Sequence, residues 1–218
     1  ILIFSSVSGR GPVSLYERYV VPRMINLACG AKPIRYQRKK VVPWCEGTVL
    51  EIGIGTGLNL PYYDAAKVAR VIGLDPSTES WRLAEEKAKE VGFPVEFVGL
   101  PGEQIPLEDK SVDTVLVTFS LCTIPDPEQA LQGMRRVLKP GGQLIFCEHG
   151  AAPDADVLKW QRRIEPVWKR LMGGCHLSRQ IPGLIEGSGF RIEDLETMYL
   201  PSTPRFAGYN YWGKAVAA

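Results

Sequence analysis

The sequence predicts an α/β protein built on a parallel sheet with helices on both faces. Three observations predict it. From about Thr48 onward, short apolar runs alternate with stretches of helical period. The first apolar run ends in a cluster of glycines, and the second ends on an aspartate. A chain of 218 residues is long enough to bury a sizeable core as one elaborated domain.

The elements follow in order. Residues 12–28 read as an amphipathic helix, with Tyr16, Tyr19, Val20, Met24 and Leu27 apolar. It stands outside the alternation, as a lid, a partner surface or a membrane-surface helix. Residues 1–44 are therefore set apart as an N-terminal extension with a lid-like helix, and 45–218 as a single domain. Residues 48–53 (TVLEIG) form a buried strand, followed by a helix-capable stretch to about Ala66. Residues 70–75 (RVIGLD) give a second strand, and 77–91 a helix with a polar face of Glu, Lys and Arg. Residues 94–98 make a third strand and 112–119 (VDTVLVTF) a fourth. A helix over 126–138 comes next. Pro140-Gly141-Gly142 is a strong helix stop that feeds a fifth strand at 143–147. Helices over 154–172 and 178–188 precede two closing strands, 190–198 and 209–216.

Composition excludes several classes. With 45% hydrophobic and 23% charged residues the chain is neither disordered nor fibrous. Its 26 basic and 24 acidic residues leave a net charge of +2, too balanced for nucleic-acid binding driven by charge. The one basic strip, residues 35–40 (RYQRKK), reads as a solvated helix face or a phospholipid-surface contact. Five cysteines at 29, 45, 122, 147 and 175 are odd in number and form no CxxC pair. They suggest neither a disulfide framework nor a metal site, and they fit a reducing, cytoplasmic setting. No run approaches the ~18 apolar residues of a membrane span, so stable membrane insertion is not expected.

The chemistry begins at Glu51-Ile52-Gly53-Ile54-Gly55-Thr56-Gly57, a strand-to-helix junction where glycines permit a tight turn and close ligand approach. Asp75 closes the next strand, where a carboxylate can accept hydrogen bonds from both hydroxyls of a ribose. Together they point to an adenosine-type cofactor at the carboxyl edge of the sheet. A dinucleotide fingerprint would need its third glycine at 58, and that residue is Leu58. This spacing disfavours a nicotinamide oxidoreductase.

At these residues the chain resembles the class I S-adenosylmethionine-dependent methyltransferases. The likeness rests on the E-x-G-x-G-x-G loop, the acid of Gly73-Leu74-Asp75, the strand at 112–119 and the RVLKPGG run at 136–142. It implies a Rossmann-like, seven-stranded, mostly parallel sheet with an antiparallel last strand. It also implies S-adenosylmethionine as cofactor and S-adenosylhomocysteine as product. Within that resemblance Glu51, Gly53, Gly55, Gly57 and Asn59 belong to the loop that holds the methionine part, and Asp75 with Pro76 to the ribose. Gly102 and Glu103 fall at the adenine. Many members place an acid two residues before that glutamate, whereas this chain has Pro101. Thr118, Phe119 and Cys122 match the segment beneath the sulfonium.

The acceptor must be oriented and, if it is a thiol, amine or phenol, deprotonated. Glu148 and His149 at the end of the fifth strand, and His176 ahead of a later helix, are the candidates for that work, while Cys175 is read as structural. Leu121-Cys122-Thr123, Cys147-Glu148-His149, Trp160, Pro166-Val167-Trp168 and the 174–179 run (GCHLSR) look like the branch containing alkyl thiol S-methyltransferases. That implies a small-molecule acceptor, a thiol or another small apolar nucleophile. Phospholipid N-methylation, quinone C-methylation and a non-catalytic cofactor-binding module are the alternatives. A nucleic-acid acceptor is not expected, since residues 118–121 read Thr-Phe-Ser-Leu rather than Asn-Pro-Pro-aromatic. Peripheral membrane contact stays open.

Overall fold

The computed structural model describes residues 29–218. The amphipathic segment read at 12–28 lies outside the described residues. In chain order the elements are α1 (Lys32–Val41), β1 (Gly47–Ile52), β2 (Val68–Leu74), α2 (Thr78–Arg82), α3 (Glu85–Glu90), β3 (Val95–Val98), β4 (Val112–Thr118) and α4 (Pro127–Val137). Then come β5 (Leu138–His149), α5 (Ala155–Leu171), α6 (Ile181–Gly187), β6 (Phe190–Tyr199), α7 (Arg205–Gly208) and β7 (Tyr209–Ala217).

The strands form one seven-stranded sheet in the order β3-β2-β1-β4-β5-β7-β6. β1 to β5 pair in parallel, and β7 runs antiparallel to both β5 and β6. The expected Rossmann-like sheet with a reversed last strand is therefore present. Its central strands are apolar on both faces because both faces are covered. Leu50, Val115, Val117, Leu144 and Phe146 pack into one core, whereas Val49, Leu116, Ile145 and Cys147 pack into the other. The order reverses between β1 and β4, and a crevice at such a switch point is where ligands bind in this architecture.

α4 shows how the sequence encodes an element. Asp126 caps it by accepting the Gln129 N–H at 2.9 Å, and Pro127 opens it, where a missing N–H costs nothing. Ala130, Leu131, Met134 and Val137 then fall on one face, and all four are buried.

Three expectations need correction. No helix follows β1: the chain runs through turns with a single 3-10 turn at Leu60–Tyr62. Gly55 and Gly57 have φ of +49° and +68°, which no right-handed helix accommodates, and Tyr63 is drawn inward to hydrogen-bond Glu51. The helix expected over 77–91 is split into α2 and α3, where Ala84 is buried against the glycine loop. The Pro140-Gly141-Gly142 stop lies inside β5, not ahead of it. The strand pairs Val112 with Leu138 and then Thr114 with Gln143, so the tripeptide bulges out and the ladder resumes.

Candidate active site

The glycine loop leaves β1 at the sheet's carboxyl edge, and its glycines are required sterically. Gly53 has φ +74°, and a Cβ there would stand 2.1 Å from Ser120 Oγ. Gly57 has φ +68°, and its Cβ would stand 2.8 Å from Leu60 Cδ1 and 3.0 Å from Ala84 Cβ. The Gly55 N–H donates to Asp75 Oδ2 at 3.0 Å, and the Ser77 N–H donates to Asp75 Oδ1 at 2.8 Å. Asp75 is thus held at the tip of β2 with lone pairs left on both oxygens. Burial raises its carboxyl above the usual range, against the two N–H donors. Pro76 beside it is exposed.

Beneath the loop lies a buried polar network. Asn59 donates to Glu51 Oε1 and to Thr118 Oγ1, both at 2.9 Å, and the Tyr63 hydroxyl donates to Glu51 Oε2 at 2.6 Å. Arg38 of α1 donates to Asn59 Oδ1 at 2.7 Å and to Thr118 Oγ1 at 2.6 Å. Its guanidinium also stands 5.2 Å from the Phe119 ring centre. Burial lifts the Glu51 carboxyl, while Tyr63, Asn59 and the Arg38 charge favour its ionised form. Glu51, Asn59 and Thr118 therefore support the loop from below.

Arg38 is the residue that the sequence reading missed. Residues 35–40 are not simply a solvated face: Gln37 and Arg38 are 2% and 5% exposed. The available signal was the helical spacing of Ile34, Arg38 and Val41, which puts Arg38 on the same face as an apolar pair.

Phe119 follows β4 with φ +53°, a left-handed conformation costly for a bulky residue and characteristic of functional turns. From there the chain passes to Cys122, which is buried. Glu148 on β5 has no exposed surface and accepts the N–H groups of Ser120 (2.7 Å), Leu121 (3.0 Å) and Cys122 (3.4 Å). Its carboxyl shapes this loop. Burial and the neighbouring Cys122 push it up to about 8 against those donors.

His149, Cys122 and Cys175 converge. Their ligand-capable atoms all lie within 4.8 Å of one another, and His149 Nε2 is 3.0 Å from Cys175 Sγ. Hydrogen bonding from Cys175, with His149 alongside, holds the Cys122 thiol well below its usual range despite burial, and Cys175 is raised in turn. Burial pulls His149 down, but the charge and hydrogen bond of Cys122 together with the charge of Glu148 outweigh it, so the imidazole ends above its usual value. Among the described residues, buried His149 Nδ1 has no hydrogen-bond partner.

His176 is placed differently. Its Nδ1 lies 3.4 Å from Glu165 Oε1, and Glu165 also accepts from the N–H and hydroxyl of Ser178. Burial, Arg179 and Lys169 lower the imidazole pKa against the neighbouring Glu165. Through these contacts His176 and Glu165 brace the loop after α5.

Gly102 packs tightly, since a Cβ would meet Ile124 at 3.0 Å and Ile52 at 3.3 Å. Glu103 accepts the Asp126 N–H at 3.1 Å through Oε1, while its buried Oε2 has no partner among the described residues. The lone pairs left on Asp75, the room over Gly55, where a Cβ would meet nothing nearer than 3.8 Å, and the Glu103 Oε2 suit an adenosine-type ligand: a diol, a close backbone approach and an amino group.

Comparison with known proteins agrees. A family model described as "Methyltransferase domain" matches residues 50–146. Thiol S-methyltransferase TMT1B of Rattus norvegicus is 37% identical over 174 residues, covering 78% of this chain and 71% of the relative. Thiol S-methyltransferase TMT1A of Homo sapiens is 32% identical over 172 residues, covering 78% and 70%. Phosphatidylethanolamine N-methyltransferase of Cereibacter sphaeroides is 39% identical over 124 residues, covering 55% and 60%. Among solved structures, an S-adenosylmethionine-dependent methyltransferase of Thermotoga maritima superposes with a TM-score of 0.63 at 21% identity, covering 92% of this chain and 97% of that one. From the glycine loop over a reversed-order sheet, the aspartate at the tip of β2 and these relatives, it follows that the chain belongs to the class I S-adenosylmethionine-dependent methyltransferases, near the thiol S-methyltransferase branch.

Proposed function

We propose that this enzyme transfers the methyl group of S-adenosylmethionine to a small thiol. The observation that carries the reading is the convergence of His149, Cys122 and Cys175 beside the Phe119 turn, at the same sheet edge as Asp75. When bound, the cofactor supplies an electrophilic methyl on a sulfonium. Gly53, Gly55, Gly57 and Asp75 hold it, with Pro76 at the ribose, Gly102 and Glu103 at the adenine, and Thr118, Phe119 and Cys122 beneath the reacting end. Glu51, Asn59 and Arg38 keep that cradle in shape. The acceptor must shed its proton to become a good nucleophile, and His149 serves the acceptor side. Glu148 positions the 120–122 loop, and His176 braces its neighbour.

Residues from Lys32 onward belong to the working unit, because Arg38 and Val41 are built into it. Five free cysteines support a reducing compartment such as the cytoplasm. Among the described residues no helix is long and apolar enough to cross a membrane.

A phospholipid acceptor is the second reading, favoured by α5. Trp160, Val167 and Leu171 are 59%, 60% and 49% exposed along one side of that helix, with Arg163 beside Trp160. The test is transfer of labelled methyl to a panel of alkyl thiols, amines, phenols, quinols and phosphatidylethanolamine vesicles. Label on thiols is expected; label on the lipid alone would replace this reading with the second. His149→Ala is expected to lower turnover on thiols at least tenfold with cofactor affinity unchanged. Undiminished turnover at every pH would remove His149 from the acceptor side.

A further inference from the structure

Cys122, His149 and Cys175 lie far apart in sequence, and each comes from a different stretch: the loop after β4, the end of β5 and the loop after α5. The fold brings two thiol sulfurs and an imidazole nitrogen within 4.8 Å of one another. Both cysteines are buried and His149 is half-buried, so the three groups face each other more than they face water. Two sulfurs and a nitrogen are a soft donor set that selects zinc and similar ions over magnesium or calcium. Three protein ligands with a fourth place free are the arrangement of a reactive metal site, whereas a structural zinc site takes four.

The surroundings suit thiolates. The Trp168 indole N–H donates to Cys175 Sγ at 3.3 Å, the kind of outer hydrogen bond that steadies a metal-bound sulfur. Arg179, anchored by donating to the carbonyls of Leu121 and Ile124, brings a fixed positive charge to the same loop. Backbone bonding fixes the two loops to each other, since the His176 N–H donates to the Cys122 carbonyl at 2.8 Å. The cysteine positions are thus set by the fold as well as by any ion.

We propose that Cys122, His149 and Cys175 bind a thiophilic divalent cation, zinc by its chemistry, and that the acceptor thiol takes the fourth position. The second half rests on the thiol reading given above. On binding, the acceptor S–H gives its proton to water and its sulfur bonds to the metal as a thiolate. In the transfer a sulfur lone pair forms the new S–CH3 bond. The methyl–sulfonium bond breaks with its electron pair left on the departing sulfur, yielding a thioether and S-adenosylhomocysteine. No oxidant or reductant is needed. His149 then acts on the acceptor as a ligand of its metal.

The test uses the full chain, reduced, stripped of metal with a chelator and titrated anaerobically with cobalt(II). One equivalent is expected to produce a near-ultraviolet sulfur-to-cobalt band and visible bands of tetrahedral intensity, displaced by zinc. Adding an alkyl thiol is expected to strengthen the near-ultraviolet band. Cys122→Ser and Cys175→Ser are each expected to weaken it by about half, one of two sulfurs being lost. Absence of any cobalt band in the folded wild-type chain overturns the proposal. So does rapid closure of a Cys122–Cys175 disulfide in a chain that never retains metal. Thiol methylation at full rate by metal-free protein overturns it while leaving the thiol reading intact. No thiol methylation with or without zinc removes the thiol reading and the acceptor's place on the metal, while the cobalt band by itself decides whether the three residues bind the ion.

Discussion

Glu148 has no exposed surface and accepts three backbone N–H groups, and its carboxyl still stands at about 8, against 4.5 when unperturbed. The cause is desolvation, reinforced by the Cys122 charge. Between those two values the folded chain holds a proton that the unfolded chain has released. Stability from this group is therefore lost as pH rises from about 5 to about 8, at no more than about 1.4 kcal/mol per pH unit. Glu148→Gln keeps an acceptor for Ser120 and Leu121 and has no proton to lose. Urea midpoints at pH 5.5, 7 and 8.5 are expected to fall less steeply for the variant than for the parent; identical slopes would show that Glu148 is ionised throughout. Arg38 teaches a related lesson. It links Asn59 and Thr118 from an element that precedes the sheet, and Arg38→Met is expected to cost about 3 kcal/mol by leaving Glu51 without its nearby buried cation. A melting temperature within a degree of the parent would refute that.

Among the elements, the glycine loop was the most legible in the sequence, because its three glycines and the acid ahead of them satisfy local geometry. Asp75 was legible for the same reason: a strand end is a fixed place. What local pattern could not show is which side chains meet across the sheet edge. Cys122, His149 and Cys175 carry no spacing signature, since three different elements deliver them. Glu148 and His149 are neighbours in sequence, yet strand alternation sends them to opposite tasks. The helix expected after β1 failed because tertiary demands on Tyr63 and the left-handed glycines outweighed a moderate helical pattern. Gly53→Ala tests how rigid this loop must be. The methyl would sit 2.1 Å from Ser120 Oγ, in a left-handed conformation that by itself costs ~1–2 kcal/mol. Pairing it with Ser120→Gly removes the clash and leaves the dihedral penalty. Cofactor affinity by calorimetry is expected to drop in the single variant and recover in part in the double; equal losses would assign the whole effect to the backbone.

At the level of the whole molecule, the arrangement of the strands was legible from their alternation and from the family resemblance. The division at residue 44 was drawn from the pattern alone, and α1 packs across it. Cofactor binding couples to the entire fold, because a ligand that binds only the native state stabilises it by about 2.7 kcal/mol at a hundred times Kd. Asp75→Ala is expected to weaken S-adenosylmethionine binding by about 2–3 kcal/mol, two charge-assisted hydrogen bonds being lost. The cofactor-induced rise in melting temperature should shrink accordingly. A variant that melts like the parent at matched ligand concentration would move the ribose away from Asp75.

β7 enters the sheet between β5 and β6, although it follows both in the chain. During synthesis, β5 therefore emerges with one edge bare, and β6 has no sheet to join until residues 209–217 arrive. Those residues also deliver Asn210, whose amide donates to the Glu148 carbonyl at 2.5 Å. A nascent chain on the ribosome thus completes its cofactor crevice well before it locks the strand end that carries His149. Unpaired edges of this kind are what chaperones guard, so until β7 docks the edge of β5 and the whole of β6 are open to pairing with another chain.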